Sequence, residues 1–523
     1  MKYILAIDLG TSGPKVAWAT VQGEVLAHEF EATPTLLLPQ GGAEQRPADW
    51  WNAIKIALAR LLDRHLIALD DLAAISCTAQ WSGTVAINRD GQPLGNAIVW
   101  MDARGAPYID RMVAGSIALQ GYDLAKLFTW LRLTGGAPTH SGKDPIAHIL
   151  YLKHEVPDVY RAADKFLEPK DYLNARLTGR CAASYDSITL HWVTDNRRID
   201  HVDYDPRLLK LARIDREKLP DLCRAIDRLG PIKPEIADEL GLPHEVPVIA
   251  GTPDVFSAAI GSGAVRDYEV HLYLGTSSWL SCHVPFKKVD LLHNMASMPA
   301  AIPGRYLLVN EQECAGNSLN YLRDNLIYPD DELSNGVCPG DVYQRFDRVA
   351  EKTAPGSGKV IFLPWLYGER TPVDDPLVRG GFFNQSLHTT RAQLVRAVFE
   401  GVAYNSRWLL KYVERFIGRR VDAIHVVGGG AKSDVWCQIH ADVLNRTVRQ
   451  VKDPWLTSLR GAAWLASLAL GEASLDDIVK HTPIAHTYEP DPDQRRIYDE
   501  LFAEFVNVYQ RNKPIYARLN RSR

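Results

Sequence analysis

The chain has 523 residues, which is too long for one hydrophobic core, so we expect two domains of roughly 200–260 residues each. Its formal net charge of −4 gives no indication of a nucleic-acid or anionic-membrane partner. Seven scattered cysteines without a C-x-x-C pair support neither a disulfide framework nor a zinc site, and no uncharged apolar run approaches the ~20 residues of a membrane span. We therefore expect a reduced, cytoplasmic protein.

The first predicted element is a β-hairpin. Residues 3–7 and 15–19 are apolar and β-prone, and the glycines at both ends of 10–13 require a tight turn between them. Because the first strand follows directly after Met1, we expect no signal peptide.

The tip of this hairpin can bind phosphate. Its small hydroxylated residues and free backbone N–H groups allow phosphate oxygens to approach closely, although the spacing is not that of a Walker A loop. Asp8 would be repelled by phosphate unless a cation lies between them, so we interpret it as a direct or water-mediated Mg²⁺ holder. Lys15 could reach phosphate, and a solvated strand residue is the alternative. The candidate phosphate contacts are Gly10, Thr11 and Ser12.

Strands then alternate with helices up to the middle of the chain. We predict strands at 24–30, 72–78, 97–100 and 246–251. We predict helices at 47–62, 145–160, 166–178, 204–229 and 255–260, with a loop at 34–45. This alternation favours an α/β sheet whose ligands bind at strand ends.

The second half opens with a copy of the first motif. Residues 270–281 again predict strand, Gly-Thr-Ser turn and strand, with Gly275, Thr276 and Ser277 at the tip. Two phosphate-type hairpins in the two halves of one chain suggest two like domains facing one nucleotide. Further predicted strands lie at 360–363 and 421–427, and predicted helices at 317–325, 390–413, 433–443 and 458–470, with helix and loop over 330–358 and one more helix after 487.

These motifs resemble the FGGY carbohydrate kinase family, within the actin, hexokinase and Hsp70 ATPase superfamily, and its xylulokinase-like branch in particular. The resemblance extends to about Gly471. It implies an α/β fold of two ribonuclease-H-like (actin-like ATPase) domains with an interdomain cleft. We place an N-terminal, sugar-binding domain at 1–262, a C-terminal, nucleotide-binding domain at 263–486 and a helical tail at 487–523.

The implied activity is ATP- and Mg²⁺-dependent phosphorylation of a small sugar or polyol, such as the ketopentose D-xylulose. Ribulose, a tetritol or gluconate is the alternative acceptor. An ATP-binding switch of the actin or Hsp70 type is the alternative of another class. A sugar-responsive repressor of kinase-like fold is disfavoured, because no helix-turn-helix precedes the first strand. Neither nucleic acid nor membrane is expected as a partner, and a homodimer is one expected assembly.

The resemblance also assigns residues. Asp254 matches the family's catalytic base, and an N-cap of the helix that follows it is the alternative. The implied sugar contacts are Gln80, Trp81, Ser82 and Asp102, together with Asp254. The alternative role for Trp81 is to fill the core. The alternative role for Asp102 is a structural salt bridge with Arg104. The implied nucleotide contacts beyond the two hairpins are Gly316, Asn320, Gly429, Gly430 and Asp434.

The sequence departs from the family pattern at several positions. Trp81-Ser82 stands where xylulokinases usually have Met-His, which changes the hydrogen-bonding groups offered to the sugar. Gly251-Thr252-Pro253 precedes Asp254 where Gly-Gly-Gly is commoner. In the first family signature the usual Lys and Trp become His148 and Tyr151, and in the second Asn384 replaces a Gly.

Overall fold

The computed structural model describes residues 1–521. Up to residue 261 its strands are β1 (Tyr3–Gly10), β2 (Gly13–Thr20), β3 (Val25–Phe30), β4 (Leu36–Leu38), β5 (Gly42–Gln45), β6 (Leu72–Ala79), β7 (Val85–Ile87), β8 (Ala97–Ile98), β9 (Ala118–Leu119), β10 (Tyr122–Asp123), β11 (Lys165–Leu167), β12 (Ala182–Ser184), β13 (Thr194–Asp195), β14 (Asp203–Tyr204), β15 (Asp221–Cys223), β16 (Arg228–Pro231) and β17 (Pro247–Ile249). The helices of this part are α1 (Pro47–Leu62), α2 (Ala106–Val113), α3 (Leu124–Leu133), α4 (Pro145–Glu155), α5 (Pro157–Ala162), α6 (Pro169–Thr178), α7 (Pro206–Ala212), α8 (Pro234–Leu240) and α9 (Asp254–Gly261).

The second part repeats the mixture of strands and helices. Its strands are β18 (Val270–Leu274), β19 (Ser278–Val284), β20 (Val289–Asp290), β21 (Met295–Pro299), β22 (Tyr306–Val309), β23 (Asp330–Asp331), β24 (Ser334–Asn335), β25 (Ile361–Leu363), β26 (Gly381–Phe383), β27 (Ala423–Val427), β28 (Thr447–Val451) and β29 (Ile484–Tyr488). Its helices are α10 (Gly316–Tyr321), α11 (Val342–Lys352), α12 (Arg391–Ile417), α13 (Asp434–Leu444), α14 (Thr457–Leu470), α15 (Leu475–His481) and α16 (Arg495–Asn520).

Two sheets of the same pattern organise two lobes. The first sheet has the order β16-β17-β6-β1-β2-β3, and the second has the order β20-β21-β22-β19-β18-β27-β28-β29. In each, a three-stranded antiparallel unit (β1-β2-β3 or β18-β19-β22) is followed by two parallel strands, β6 and β17 or β27 and β28. The internal repeat of the two hairpins is therefore part of a repeated five-stranded core.

The lobes share a helical crossing. Helix α14 follows β28 of the second sheet in the chain, yet Leu459 and Ala463 pack against Ile4 and Ala17 of the first sheet. Where α14 crosses α9, a Cβ on Gly461 would lie 1.8 Å from the carbonyl oxygen of Ser257. Only glycine permits this approach of the two backbones.

The tail packs on the second lobe. Strand β29 pairs antiparallel with β28, and Tyr498, Phe505 and Tyr509 of α16 are buried in the core of that lobe. These contacts make residues 484–521 part of the second lobe, and residues 522 and 523 of the predicted tail lie outside the described residues.

Several predicted elements differ from the structure. The helix predicted at 204–229 is wrong: α7 and a single 3-10 turn at Arg216–Lys218 are helical there, and β15 and the start of β16 follow them. Residues 166–167 belong to β11 because Pro169 starts α6, and Pro157 divides the helix predicted at 145–160 into α4 and α5. The loop predicted at 34–45 contains the short strands β4 and β5.

Within residues 1–521, no helix combines the length and the apolar character needed to cross a bilayer.

Candidate active site

The first hairpin is held by a hydrogen-bond network around Thr11. The Thr11 hydroxyl donates to Gln80 Oε1 at 3.1 Å and accepts from Trp100 Nε1 at 3.0 Å. Gln45 Nε2 donates to the Thr11 carbonyl at 2.7 Å, and Gln80 Nε2 donates to Gln45 Oε1 at 2.7 Å. Gln80, predicted at the sugar, is 3 % exposed, and its side chain is hydrogen-bonded to this hairpin and to Gln45. Ser12 at the tip is exposed.

Three charged side chains lie together beside this hairpin. Asp8 and Lys15 are cross-strand partners, and Lys15 Nζ donates to Asp8 Oδ2 at 2.8 Å. The Asp8 charge raises the pKa of Lys15, with a smaller contribution from Asp254. Burial, followed by the Asp8 charge, raises the pKa of Asp254 to about 7. A carboxylate with that pKa is poised to accept a proton at neutral pH.

Asp254 is the first residue of α9, and its N-cap is Pro253. Its Oδ1 accepts a hydrogen bond from the Val255 N–H at 2.8 Å. The half-buried side chain is therefore not the N-cap considered as the alternative. It lies at the end of a buried strand and a tight turn, which is where an α/β sheet presents functional groups.

A buried polar cage fixes the turn before Asp254. Lys170 Nζ and Asn174 Nδ2, both on α6, donate to the Ala250 carbonyl at 2.8 and 2.7 Å. Lys170 also pairs with Asp171, and the Thr252 hydroxyl donates to Asp186. No sequence motif identified these residues in advance. The available signal was a pair of opposite charges, Lys170-Asp171, inside a helix that is otherwise largely apolar on its inner side.

The second hairpin is closely packed against the start of α10. The N–H of Gly316 donates to the Gly275 carbonyl at 2.8 Å, and a Cβ on Gly316 would lie 2.6 Å from that oxygen. Gly316 is therefore required for this approach, while Thr276 at the tip is exposed. The Tyr273 ring stacks on Trp279 with centroids 3.9 Å apart.

One side chain of the second hairpin is affected by charges of the first lobe. Burial raises the pKa of the Tyr273 phenol, and the charges of Asp254 and Asp8 from the first lobe raise it further. Charges act this way only over short distances inside a protein. Tyr273, on the strand before the second tip, is therefore near the carboxylates beside the first tip.

The three glycines after β27 have different surroundings and different structural roles. A Cβ on Gly428 or Gly430 would contact Leu274 within 3.0 Å, so these two permit packing against β18. Gly429 has open space where a Cβ would be, which leaves its backbone accessible. Asp434 Oδ1 accepts from Gln450 Nε2 and from Tyr488 OH, each at 2.9 Å.

The remaining predicted nucleotide residue, Asn320, lies on α10. Its Oδ1 accepts from Tyr343 OH at 2.6 Å, and its Nδ2 donates to Asn317 Oδ1 at 3.1 Å. The side chain is thus tied to its neighbours and half-buried.

The predicted sugar residues have unequal access. Trp81 Nε1 donates to the Ser187 carbonyl at 3.1 Å, and its half-buried ring meets Phe256 edge-on. Ser82 Oγ donates to the Lys143 carbonyl at 2.8 Å. Asp102 is 1 % exposed and paired with Arg104, which is the structural salt bridge that the sequence left open.

The residues present fit a magnesium ion held mainly by nucleotide. Within residues 1–521, no group of three His, Cys, Asp or Glu side chains could hold a metal ion alone. Mg²⁺ is usually bound by one or two carboxylates together with phosphate oxygens. Asp8, next to the turn of the first hairpin, offers such a carboxylate, although Lys15 competes for it.

Comparison with known protein families gives two matches that together cover most of the chain. A model described as "FGGY family of carbohydrate kinases, N-terminal domain" matches residues 3–261. A model described as "FGGY family of carbohydrate kinases, C-terminal domain" matches residues 271–470.

Individual relatives are similar over almost their whole length. A xylulose kinase of Escherichia coli is 29 % identical, covering 98 % of this chain and 100 % of the relative. A gluconokinase of Bacillus subtilis is 26 % identical, covering 97 % of this chain and 95 % of the relative. Among solved structures, a gluconate kinase from Lactobacillus acidophilus has a TM-score of 0.85 at 26 % identity, covering 99 % of both chains. A ligand-bound xylulose kinase from the same organism has a TM-score of 0.84 at 25 % identity, covering 99 % of this chain and 100 % of that structure.

Proposed function

The chain belongs to the FGGY family of carbohydrate kinases, and from this premise we propose that it phosphorylates D-xylulose. It is an ATP-dependent sugar kinase, a phosphotransferase with an alcohol acceptor. The observation that carries the mechanism is the position of Asp254 at the start of α9, near the Asp8–Lys15 pair of the first hairpin, where burial and the Asp8 charge raise its pKa to about 7. The choice of D-xylulose rests on the relatives, several of which are xylulose kinases.

In the proposed mechanism Asp254 removes the proton from the acceptor hydroxyl. The hydroxyl oxygen then attacks the γ-phosphorus of ATP, the bond to the β-phosphate oxygen breaks, and ADP leaves. The tips at Gly10–Ser12 and Gly275–Ser277 bind phosphate oxygens through backbone N–H groups. Mg²⁺, held partly by Asp8, would neutralise phosphate charge. Closure of the two lobes excludes water, which would otherwise compete as acceptor.

Gluconate is the second candidate acceptor, and one observation favours it. The backbone carbonyl of Lys143 accepts the hydrogen bond from Ser82, and its half-buried ammonium lies near the charges of Arg370, Glu311 and Glu313. Among the described residues it makes no ion pair, whereas Arg370 is paired with both glutamates. A carboxylate-bearing sugar would offer Lys143 a partner.

The acceptor is tested by ADP release with D-xylulose, D-ribulose, a tetritol and D-gluconate. We expect the highest kcat/KM for D-xylulose, and Lys143→Met is expected to change it less than about threefold. If gluconate is the acceptor, it gives the highest kcat/KM, and the same variant lowers that value by about tenfold or more, since an ion pair to substrate is lost. ATP hydrolysis that no sugar stimulates would instead indicate a switch protein.

The role of Asp8 is tested through the magnesium requirement. We expect Asp8→Asn to raise the Mg²⁺ concentration for half-maximal activity by about tenfold, because an amide oxygen is a weaker ligand than a carboxylate. Lys15→Met removes the cation that competes for Asp8, so we expect it to lower this concentration. Equal magnesium requirements in the wild type and in Asp8→Asn would exclude Asp8 as a holder.

A further inference from the structure

One buried side chain, Thr252, anchors the turn that carries Asp254. Residues 250–253 connect β17 to α9, and Thr252 in their middle is 0 % exposed. Its hydroxyl donates to the Asp186 carboxylate, and among the described residues this is the one hydrogen bond that Thr252 makes. Pro253, which follows, has no N–H to donate. In the described chain, this hydroxyl is therefore the polar link from the two residues before Asp254 to a distant part of the first lobe.

Asp186 is a firmly held partner for this hydroxyl. It is fully buried and directly precedes a 3-10 helix at Ser187–His191. The Thr189 hydroxyl donates to the Asp186 carbonyl at 2.7 Å, and on the other side the Tyr185 N–H donates to the Cys223 carbonyl at 3.0 Å. The backbone is thus tied on both sides of Asp186. Because a closely packed interior yields little, such an anchor fixes the position of the turn.

The residue after Asp186 supports a side chain that the resemblance places at the sugar. Trp81 Nε1 donates to the Ser187 carbonyl at 3.1 Å. The Trp81 ring also meets Phe256 of α9 edge-on, with the ring centroids 5.1 Å apart. Asp186 and Ser187 therefore hold the turn before Asp254 and the predicted sugar loop against one short segment of the chain.

We infer that Thr252 is a positioning residue for phosphoryl transfer: its hydrogen bond to Asp186 keeps the Asp254 carboxyl group at the distance from the acceptor hydroxyl that proton transfer requires. The inference rests on the proposed function, because it takes Asp254 to be the general base. Thr252 is fully buried, so it acts through Asp254 and not on the substrate. A misplacement of about 1 Å at a reacting group can lower the rate by about 10²-fold, and loss of the anchor permits such a shift.

The test compares Thr252→Val, which keeps the shape of the side chain without the hydroxyl, with Thr252→Ser, which keeps the hydroxyl. We expect Thr252→Val to lower kcat for sugar-dependent ADP release by about 10- to 100-fold and Thr252→Ser by less than about threefold, with KM for ATP within about twofold in both. In Asp186→Asn the amide oxygen still accepts from Thr252, so this variant should behave like Thr252→Ser. Thr353→Val, which loses a hydroxyl bond of 2.7 Å to the Val349 carbonyl in the second lobe, is the matched control.

A double variant separates positioning from loss of stability. Thr252→Val leaves the buried Asp186 carboxylate without its donor, whereas Thr252→Val with Asp186→Leu replaces both partners by apolar side chains. We expect the double variant to have a higher Tm than Thr252→Val and to keep its loss of kcat. Recovery of wild-type kcat together with Tm would overturn the inference.

Combination with Asp254→Asn gives a readout that a purely structural role would not produce. A positioning residue has no effect once the group that it positions is gone, so adding Thr252→Val to Asp254→Asn should lower kcat by less than about twofold. Losses that multiply in the combined variant would contradict the inference.

Hydrogen exchange measures the anchor without any substrate. In Thr252→Val we expect the peptide covering residues 250–256 to take up deuterium about tenfold faster than in the wild type, and in Thr252→Ser at the wild-type rate. Equal uptake in Thr252→Val and the wild type would show that the hydroxyl does not hold the turn.

The kinetic outcomes distinguish this inference from the proposed function. A wild type that releases no ADP with any sugar, or an Asp254→Asn variant with full activity, contradicts the proposed function and the inference with it. An active wild type and an inactive Asp254→Asn, together with an unchanged kcat in Thr252→Val, overturn the inference alone.

Discussion

Replacing Asp254 with Asn is expected to lower kcat for phosphoryl transfer by about 10³-fold, the usual contribution of a positioned general base. The amide keeps the size of the side chain but cannot accept the proton of the acceptor hydroxyl. KM values for sugar and ATP should change much less than kcat. ADP release, with Asp70→Asn on an exposed turn as the matched control, measures the effect.

The pH profile provides a second measurement of the same residue. Burial and the charge of Asp8 raise the pKa of Asp254 to about 7, so the carboxylate form that accepts a proton is depleted below that pH. The wild-type kcat/KM for the sugar is therefore expected to rise with pH and to level off above about 7. The residual activity of Asp254→Asn should lack this limb, and undiminished turnover in that variant would remove Asp254 from the mechanism.

Replacing Gly461 with Ala is expected to destabilise the protein by about 3 kcal/mol or more. The added Cβ would lie 1.8 Å from the Ser257 carbonyl oxygen, and a Cβ on Gly261 would lie 1.9 Å from the Thr457 carbonyl oxygen. Backbone atoms on both sides cannot move as a flexible side chain does, so α9 and α14 must separate, and the apolar contacts between them are lost.

Thermal unfolding measures this effect against Gly340→Ala, whose Cβ would meet nothing within 4 Å. Since about 3 kcal/mol corresponds to a shift of roughly 6 °C or more in a domain of 150–250 residues, we expect that reduction of Tm for Gly461→Ala and almost none for Gly340→Ala. Equal melting temperatures of the two variants would show that the crossing tolerates a methyl group.

The sequence was sufficient for the family and for the repeated fold, both now confirmed by the comparisons. Each hairpin is a local pattern of β-prone residues around glycines, so its signal lies within about a dozen residues. Helix starts are equally local features: the structure has a capping box at Thr390 and a side-chain cap at Ser433, the residues at which two helices are predicted to begin. The individual site residues remain predictions, and so does a homodimer.

The parts that the sequence did not reveal depend on distant contacts. Lys170 binds the Ala250 carbonyl across 80 positions of the chain, and Trp100 reaches Thr11 across 89. No local periodicity encodes such pairs. The helix predicted at 204–229 failed for a related reason: its polar residues suit a helix, but β16 is specified by pairing with β17. The helix propensity of a segment is overridden wherever a neighbouring strand supplies hydrogen bonds to its backbone.

During translation, the first lobe emerges from the ribosome without one of its layers. The sheet face that carries Ile4 and Ala17 is covered by α14, whose residues 457–470 are synthesised about two hundred positions after the lobe itself. Until then an apolar surface stays open to water and to other nascent chains. Covering this surface requires the late chain to return to the early one, which makes the two halves interdependent for solubility as well as for catalysis.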